Sequence, residues 1–384
     1  MKIIKNIFKW SALVLCVLAL VLIGAWLLNA PDDFVDQSQS KLRLEKAAYS
    51  VKAAKLTIID RARPTPALGG YEGDDKRELN GVVWFPAGES KAHPLLVLSH
   101  GFGGYHRDST HLAKYLASNG YVVASVDFPL SSMRTPAEVP QLVDVVNQPG
   151  DVSAIIDHVL GLADDSTSDL HQRIDPEKVG VLGLSLGGLT TALVSFHPDL
   201  KDQRVKAAVM MAPPLEAFSD QFFANSTDIK SLLISGSFDR VVPEAANATQ
   251  VQARHKEGWF VSFDRGTHLG FADAGNYTRW MNSPDDLGCV FMGMMLDKLE
   301  LPERWDAVIP NTGGVLRDVV AGPPCLEIEG EAMNGLRQQW LTRITIASFF
   351  DMHFHEDARA ESAARFFSEE LSRENPDVTV YPPR

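Results

Sequence analysis

Short, continuously hydrophobic runs alternate with helical segments through the middle of this 384-residue chain. A strand that is buried on one face alternates hydrophobic and polar residues, whereas a strand that is covered on both faces is hydrophobic throughout. The pattern therefore predicts an α/β fold, in which helices flank a mostly parallel sheet. In chain order, the predicted strands are KLTIIDRAR, LNGVVWFPA, HPLLVLSH, YVVASVDFP, KVGVLGLS, VKAAVMMAPP, SLLISGSFD and WFVSFDRGTH.

The alternation pauses after Phe271. Residues 272–334 contain many Pro, Gly and Met residues without a clear period, and LRQQWLTRITIASFFDMHF then predicts a long closing helix. We therefore predict a domain over residues 55–384 with an insertion at 272–334, preceded by a polar linker over residues 31–54. The insertion either caps a site or forms a small core of its own around CVFMGMMLDKL.

The first 30 residues differ from the rest of the chain. Lys2, Lys5 and Lys9 precede a run of 22 uncharged residues, which as a helix would extend about 33 Å and could cross a hydrocarbon core of about 30 Å. Basic residues before the run and acidic residues after it predict a cytoplasmic N-terminus. We interpret residues 1–30 as a single-pass signal anchor that places the domain on the periplasmic or extracellular side of the cell membrane. Secretion after cleavage of a signal peptide is the alternative.

Composition restricts the partners of the exported part. Hydrophobic residues at 45% and charged residues at 22% are typical of a globular protein. Without residues 1–30, 33 basic and 49 acidic residues remain, which gives a formal charge of −16. Nucleic acid and anionic lipid surfaces are poor partners for such a charge, and self-association is left open. In an oxidising compartment, Cys289 and Cys325 form a disulfide or remain two free buried thiols.

Ser185 lies in the stretch VGVLGLSLGGLTTAL, where GLSLG matches the motif G-x-S-x-G. The motif stands between a predicted strand and a predicted helix, which is the context in which it marks a nucleophile. Glycines on both sides of the serine allow the strand and the helix to approach closely through a sharp turn that exposes the hydroxyl. We predict that Ser185 is a nucleophile.

A serine nucleophile requires a general base and an acid that orients it. After a G-x-S-x-G serine, the acid and then the histidine follow at the carboxyl ends of later strands. The segments SLLISGSFDRVVP and WFVSFDRGTH place Asp239 and His268 at these positions. Asp264 is a weaker candidate for the acid because it lies on the histidine's own strand. A turn aspartate and an ordinary loop histidine are the structural alternatives.

The loop LSHGFGGYH follows the strand that should lie beside the nucleophile strand. Its glycines allow backbone N–H groups to converge on a ligand. An oxyanion hole of this kind takes one N–H from the residue after the serine and one from such a loop. We therefore predict that the backbone N–H groups of Phe102 and Leu186 form the oxyanion hole.

Five ordered motifs, HGFGG, LASNGYVVASVDFP, GLSLGG, GSFDRVVP and GTHLGF, carry a family resemblance. With them the chain resembles the α/β-hydrolase superfamily, and within it the dienelactone hydrolase, platelet-activating-factor acetylhydrolase and bacterial cutinase-like group. The resemblance covers about residues 55–271 and the closing helix. It implies an eight-stranded, mostly parallel sheet and hydrolysis through an acyl-enzyme without a cofactor. The apolar N-terminus and the insertion depart from the group's pattern.

We expect a serine carboxylic-ester hydrolase, esterase-like or lipase-like, that acts on a small-molecule ester and needs no cofactor or metal. A serine peptidase would use the same three residues, and a binding protein of the cell envelope could use the same fold without catalysis. His353 and His355 do not predict a metal site, because residues two apart on a helix do not share a face.

Overall fold

A mostly parallel sheet of nine strands forms the centre of the described part of the chain. The computed structural model describes residues 2–88, 91–296, 298, 304–317, 319 and 325–384. The strands are β1 Val51–Asp60, β2 Arg77–Pro86, β3 His93–Ser99, β4 Val122–Asp127, β5 Ile174–Leu184, β6 Val205–Met211, β7 Lys230–Gly236, β8 Trp259–Phe263 and β9 Val378–Tyr381.

The strands lie in the order β1-β2-β4-β3-β5-β6-β7-β8-β9. Neighbouring strands are parallel from β4 through β3 to β8, and the pairs β1–β2, β2–β4 and β8–β9 are antiparallel. All residues of β3 and β4 are buried, which explains their continuous hydrophobic runs. The predicted α/β architecture is confirmed. The sheet has nine strands rather than eight, because β9 adds an antiparallel strand after the closing helix.

Helices cover both faces of this sheet and also form the N-terminal segment and the region after β8. They are α1 Lys2–Leu28, α2 Gln39–Glu45, α3 Thr110–Ser118, α4 Gln148–Asp164, α5 Leu186–Phe196, α6 Asp220–Ala224, α7 Gln250–Arg254, α8 Asp273–Tyr277, α9 Asp285–Leu296, α10 Gly335–Phe354, α11 Ala358–Arg365 and α12 Leu371–Glu374. Short 3₁₀ or π turns occur at Leu142–Asn147, Ala245–Thr249, Leu269–Phe271, Trp305–Ala307 and Phe366–Glu370.

Two hydrophobic cores lie on opposite faces of the sheet. One core packs α4 and α5 against the strands, and every residue of α5 is buried. The other core packs α3 and α10, the predicted closing helix, against the second face. Because α5 is enclosed on all sides, the residue that precedes it is held between two rigid elements.

Helix α1 contains residues 10–28 of the uncharged N-terminal run. Its segment Trp10–Leu28 is 19 residues long, has a mean hydropathy of 2.8 and is not buried against the domain. By length and composition it could cross a membrane, and a signal sequence has the same properties. The predicted linker over residues 31–54 is partly structured. It contains α2, whose Ser40 donates to the Glu374 carboxylate, and the first residues of β1.

The predicted insertion at 272–334 includes α8 and α9. A disulfide joins Cys289 in α9 to Cys325, so the disulfide is the alternative that the structure contains. The backbone N–H groups of Cys325 and Leu326 donate to the Arg240 carbonyl at 2.7 and 3.1 Å. The disulfide therefore links α9 to a segment that is hydrogen-bonded to the loop after β7.

Candidate active site

The residues predicted to form the site lie at one edge of the sheet. Ser185 directly follows β5, Asp239 follows β7, His268 follows β8, and the glycine-rich loop at 100–104 follows β3. These four strands are parallel, so their carboxyl ends meet at the same edge, where α/β sheets bind ligands.

Ser185 has a backbone conformation that non-glycine residues rarely adopt, with φ at 56°. Its backbone N–H donates to the Met211 carbonyl at 2.8 Å, and its carbonyl accepts from Leu189 N–H at 3.0 Å in the first turn of α5. The serine is therefore held by a neighbouring strand on one side and by a buried helix on the other. Strain at a partly exposed residue that is fixed in this way is typical of functional turns.

The glycines of the motif are required by close backbone contacts. A Cβ atom on Gly183 would collide with the Gly187 carbonyl oxygen, and one on Gly187 would collide with the Ser99 carbonyl oxygen. Only glycine leaves room for β5, α5 and the end of β3 to approach one another here. The predicted sharp strand-to-helix turn is thus present in the structure.

Asp239 and His268 form a direct, buried contact. His268 Nδ1 lies 2.7 Å from Asp239 Oδ2, while Asp239 Oδ1 accepts from the backbone N–H groups of Val241 at 2.9 Å and Val242 at 2.7 Å. Burial lowers the pKa of His268, but the charge and the hydrogen bond of Asp239 outweigh burial. The resulting pKa lies above the ordinary value of 6.5. The carboxylate thus fixes the ring and favours its protonated form.

The structure places Ser185 beside the glycine-rich loop. A Cβ atom on Gly101 would lie 3.3 Å from the Ser185 Cβ. Among the described residues, no hydrogen bond joins the Ser185 hydroxyl to His268, and catalytic hydrogen bonds are often long before substrate binds. Asp264 accepts from the Ser237 hydroxyl at 3.3 Å instead of contacting the His268 ring. Asp239 is therefore the partner that the structure gives to His268.

Hydrogen bonds of the His100 side chain hold the loop that carries Phe102. The Phe128 N–H donates to His100 Nε2 at 3.1 Å, so the other ring nitrogen carries the hydrogen and donates to the Gly101 carbonyl at 2.7 Å. Burial lowers the pKa of His100 to about 4, so the ring is neutral at pH 7. In the described part of the chain, neither the Phe102 N–H nor the Leu186 N–H donates to another protein group.

Sequence reasoning missed Asp285, the first residue of α9. Its buried carboxylate accepts backbone hydrogen bonds from Arg240 at 3.1 Å, His268 at 3.0 Å and Leu269 at 2.8 Å. Burial raises its pKa to about 6, and the nearby charge of Asp239 contributes in the same direction. Asp285 thus connects the loop after Asp239 to the loop of His268 by hydrogen bonds. Its sequence context, SPDDL, resembles an ordinary acidic helix start and carries no signal of these contacts.

Helix α9 lies over the same two loops, and we call it the cap helix. The Phe291 ring is so close to Gly103 that a Cβ atom there would lie 2.9 Å from its edge. Gly288 faces the Leu269 side chain, where a Cβ atom would have a 3.3 Å contact. The cap helix therefore contacts the loop after Phe102 and the loop after His268.

A family model described as PET hydrolase-like matches residues 77–283, more than half of the chain. The chain belongs to the PET hydrolase-like family. The match includes Phe102, Ser185, Asp239 and His268, and it ends just before the cap helix.

Cutinases are among the proteins whose sequences are similar to this chain. The chain is 24% identical to cutinase est1 of Thermobifida alba over 201 residues, which is 52% of this chain and 57% of that protein. It is 27% identical to cutinase 1 of Thermobifida cellulosilytica over 169 residues, which is 44% and 56% of the two chains. A bis(hydroxyethyl) terephthalate hydrolase of Streptomyces coelicolor is 22% identical over 212 residues, or 55% and 56%. The chain thus spans less than two thirds of the length of these relatives.

A solved structure is similar in fold to this chain. A ferulic acid esterase from Streptomyces cinnamoneus has a TM-score of 0.50 and 20% sequence identity, with 86% of this chain and 96% of that chain covered. The α/β-hydrolase fold is confirmed. Of the three groups that the sequence resembles, the relatives support the bacterial cutinase-like group.

Proposed function

We propose that this member of the PET hydrolase-like family is a serine hydrolase of carboxylic esters. The observation that carries the proposal is the strained turn at Ser185, placed on the same sheet edge as the buried pair Asp239–His268. The names of the related cutinases and of the terephthalate hydrolase support ester chemistry. The proposed substrates are small or medium acyl esters.

In the proposed mechanism, the Ser185 hydroxyl attacks the ester carbonyl while His268 Nε2 accepts its proton. His268 then donates this proton to the leaving alcohol, and an acyl group remains on the Ser185 oxygen. Water, activated by the same imidazole, releases the acid and regenerates the serine. Asp239 holds the hydrogen of His268 on Nδ1 and stabilises the positive charge that forms during each transfer.

The tetrahedral intermediate in this mechanism carries a negative oxygen. We assign its donors to the backbone N–H groups of Phe102 and Leu186. The absence of protein acceptors for both groups in the described residues supports this assignment, and the hydrogen bonds of His100 hold the loop of Phe102 in place. Preorganised donors of this kind need no rearrangement when charge develops.

We also infer that α1 is a single-pass anchor and that the domain acts outside the cytoplasmic membrane. The length and hydropathy of Trp10–Leu28 support a span. The disulfide between Cys289 and Cys325 supports an oxidising compartment.

The proposal is tested by ester hydrolysis with the full chain in phosphatidylcholine nanodiscs. We expect hydrolysis of p-nitrophenyl esters, assayed from acetyl to palmitoyl, to continue in the presence of a metal chelator. We also expect a fluorophosphonate probe to label Ser185, as identified by peptide mass. Faster cleavage of peptide anilides would support a serine peptidase. A folded protein that neither hydrolyses esters nor reacts with the probe would support a binding protein instead.

Replacing Asp285 with asparagine is expected to shift the acid limb of the pH profile. His268 must be neutral to accept a proton, so kcat/KM rises with pH through the pKa of His268, which lies above 6.5. The Asp285 charge contributes to raising this pKa. The Asp285→Asn variant should therefore have its acid limb at lower pH, and a reduced kcat because the loops lose backbone hydrogen bonds.

The matched control is Asp286→Asn. Asp286 is the next residue and is exposed, and its carboxylate pairs with Arg240 instead of the His268 loop. We expect this variant to keep the wild-type pH profile. If the acid limb of the pH profile were unchanged in Asp285→Asn, or shifted equally in both variants, the positioning role of Asp285 would be contradicted.

A further inference from the structure

The cap helix presents some apolar residues to the domain and others to its outer surface. Phe291 on its inner side contacts the glycine-rich loop, and Cys289 forms the disulfide. On its outer side, Leu287, Val290 and Met294 are 49%, 59% and 69% exposed. Their spacing of three and four residues places them on one helical stripe. A helix of a soluble domain normally presents polar residues to water, so this outer stripe is suited to another apolar phase.

The end of α1 is bonded to the segment that precedes the cap helix. Trp26 Nε1 donates to the Asn276 carbonyl at 2.9 Å, and Arg279 Nε donates to the Trp26 carbonyl at 2.8 Å. The Arg279 guanidinium also stacks on the Trp26 ring at 3.7 Å. A third bond joins the Asn334 side chain to the Asn29 carbonyl at 2.8 Å. These contacts fix where the domain meets the end of the proposed anchor.

Two exposed aromatic residues flank these contacts. Tyr277 is 68% exposed and Trp280 is 42% exposed, and each is a sequence neighbour of a residue that contacts Trp26. Tyrosine and tryptophan are enriched where hydrocarbon meets the lipid headgroups. If α1 spans the bilayer, its end at Leu28 lies at this level, since 19 helical residues extend about 28 Å.

We propose that the cap helix docks on the surface of the lipid bilayer that α1 spans. The docking face consists of Tyr277, Trp280, Leu287, Val290 and Met294, and this inference depends on the proposed anchor. This docking face adjoins the residues that contact the end of α1. The surface that it contacts is therefore the lipid around the proposed anchor. Because the exported part carries a formal charge of −16, the attraction is apolar, and zwitterionic lipid is the preferred surface.

The docking also deepens the proposed function. The inner side of the cap helix contacts the loops of Phe102 and His268, so docking places the proposed site next to the headgroup region. Esters that partition into the membrane would then reach Ser185 from the lipid surface without crossing bulk water.

The test uses nitroxide labels on the full chain in phosphatidylcholine nanodiscs. Cys16, the free cysteine among the described residues, is first replaced by serine so that a single introduced cysteine can be labelled. One label is placed by Met294→Cys. The control label is placed by Asp164→Cys at the exposed end of α4. That helix runs from β4 back to β5, so Asp164 lies at the edge of the sheet opposite the site.

Accessibility to oxygen, which concentrates in lipid, is compared with accessibility to a water-soluble nickel chelate. We expect oxygen to dominate at position 294 and the chelate to dominate at position 164. Adding Val290→Asp should increase the chelate accessibility at position 294 severalfold. Equal chelate accessibility at both positions, or a chain that does not remain with the nanodiscs, would overturn the docking proposal.

Ester hydrolysis is measured on the same samples. Activity with a water-exposed label at position 294 would reject docking and leave the esterase proposal intact. A lipid-exposed label without activity would support docking and reject the esterase proposal.

Discussion

Replacing Ser185 with alanine is expected to lower kcat for p-nitrophenyl ester hydrolysis by about 10⁴- to 10⁶-fold. The variant retains the proposed oxyanion donors and the Asp239–His268 pair but has no oxygen to form the proposed acyl-enzyme. The remaining rate comes from binding and from backbone donors alone. Fluorophosphonate labelling should be lost in parallel. The measurement is the steady-state rate in nanodiscs, together with the thermal midpoint of unfolding to show that the variant is folded.

Ser195→Ala is the matched control for this variant. Ser195 lies on α5, the helix that follows the nucleophile turn, and its buried hydroxyl has no hydrogen-bond partner among the described residues. Removing this hydroxyl should leave the rate and the labelling unchanged. If Ser185→Ala retained near wild-type activity in a folded protein, the nucleophile assignment would be wrong.

The second large effect is expected from Asp239→Asn, which should lower kcat by about 10⁴-fold. The wild-type carboxylate accepts the hydrogen of His268 Nδ1 at 2.7 Å and leaves Nε2 free to accept the serine proton. An asparagine amide can instead donate to Nδ1, which places the ring hydrogen on Nε2. The variant keeps the shape of the site but presents the wrong tautomer to Ser185. Loss of the negative charge should also move the acid limb of the pH profile to lower pH.

Asp264→Asn is the control that separates the two candidate acids. Asp264 lies on the loop after β8 and accepts a hydrogen bond from Ser237. We expect this variant to retain nearly full activity. A large loss in Asp264→Asn, with activity preserved in Asp239→Asn, would reverse the assignment of the acid. Both rates are compared at saturating substrate, where loss of substrate affinity does not contribute.

The strand-to-helix turn at Ser185 could be predicted because its signals are local. Hydrophobic runs identify buried strands such as β5, and the glycines around Ser185 encode a close approach within five residues of the chain. The order of Asp239 and His268 follows from strand ends that the same pattern locates. The direct contact between these two residues agrees with this prediction, while their catalytic role stays a prediction until the variants are measured.

Features that depend on distant contacts could not be predicted. Asp285 is recognised only when the insertion folds back on the loops after β7 and β8, because its own sequence resembles an acidic helix start. The pairing of Cys289 with Cys325 was one of two alternatives for the same reason. The hydrophobic pattern over residues 141–163 predicts one helical segment. The structure divides it into a 3₁₀ turn and α4 near Pro149, which fits the first turn of a helix.

Strand β9 is a strand that the sequence analysis did not predict. It has four residues and follows a polar helix, so it lacks the long hydrophobic run that marks the other strands. Its pairing with β8, from Phe263 with Val378 to Phe260 with Tyr381, depends on residues more than 100 positions apart. The adjacent Asp377 is held by the Arg337 guanidinium of α10 at 3.0 Å.

This short strand has a consequence for aggregation. Without β9, the hydrophobic strand β8 would end the sheet with unpaired N–H and carbonyl groups, and such an edge can recruit a strand from another molecule. With β9 in place, the sheet ends in a short strand that is followed by Pro382 and Pro383, which cannot donate backbone hydrogen bonds. Strand β9 and the two prolines thus protect β8, the strand before His268, from intermolecular β-pairing.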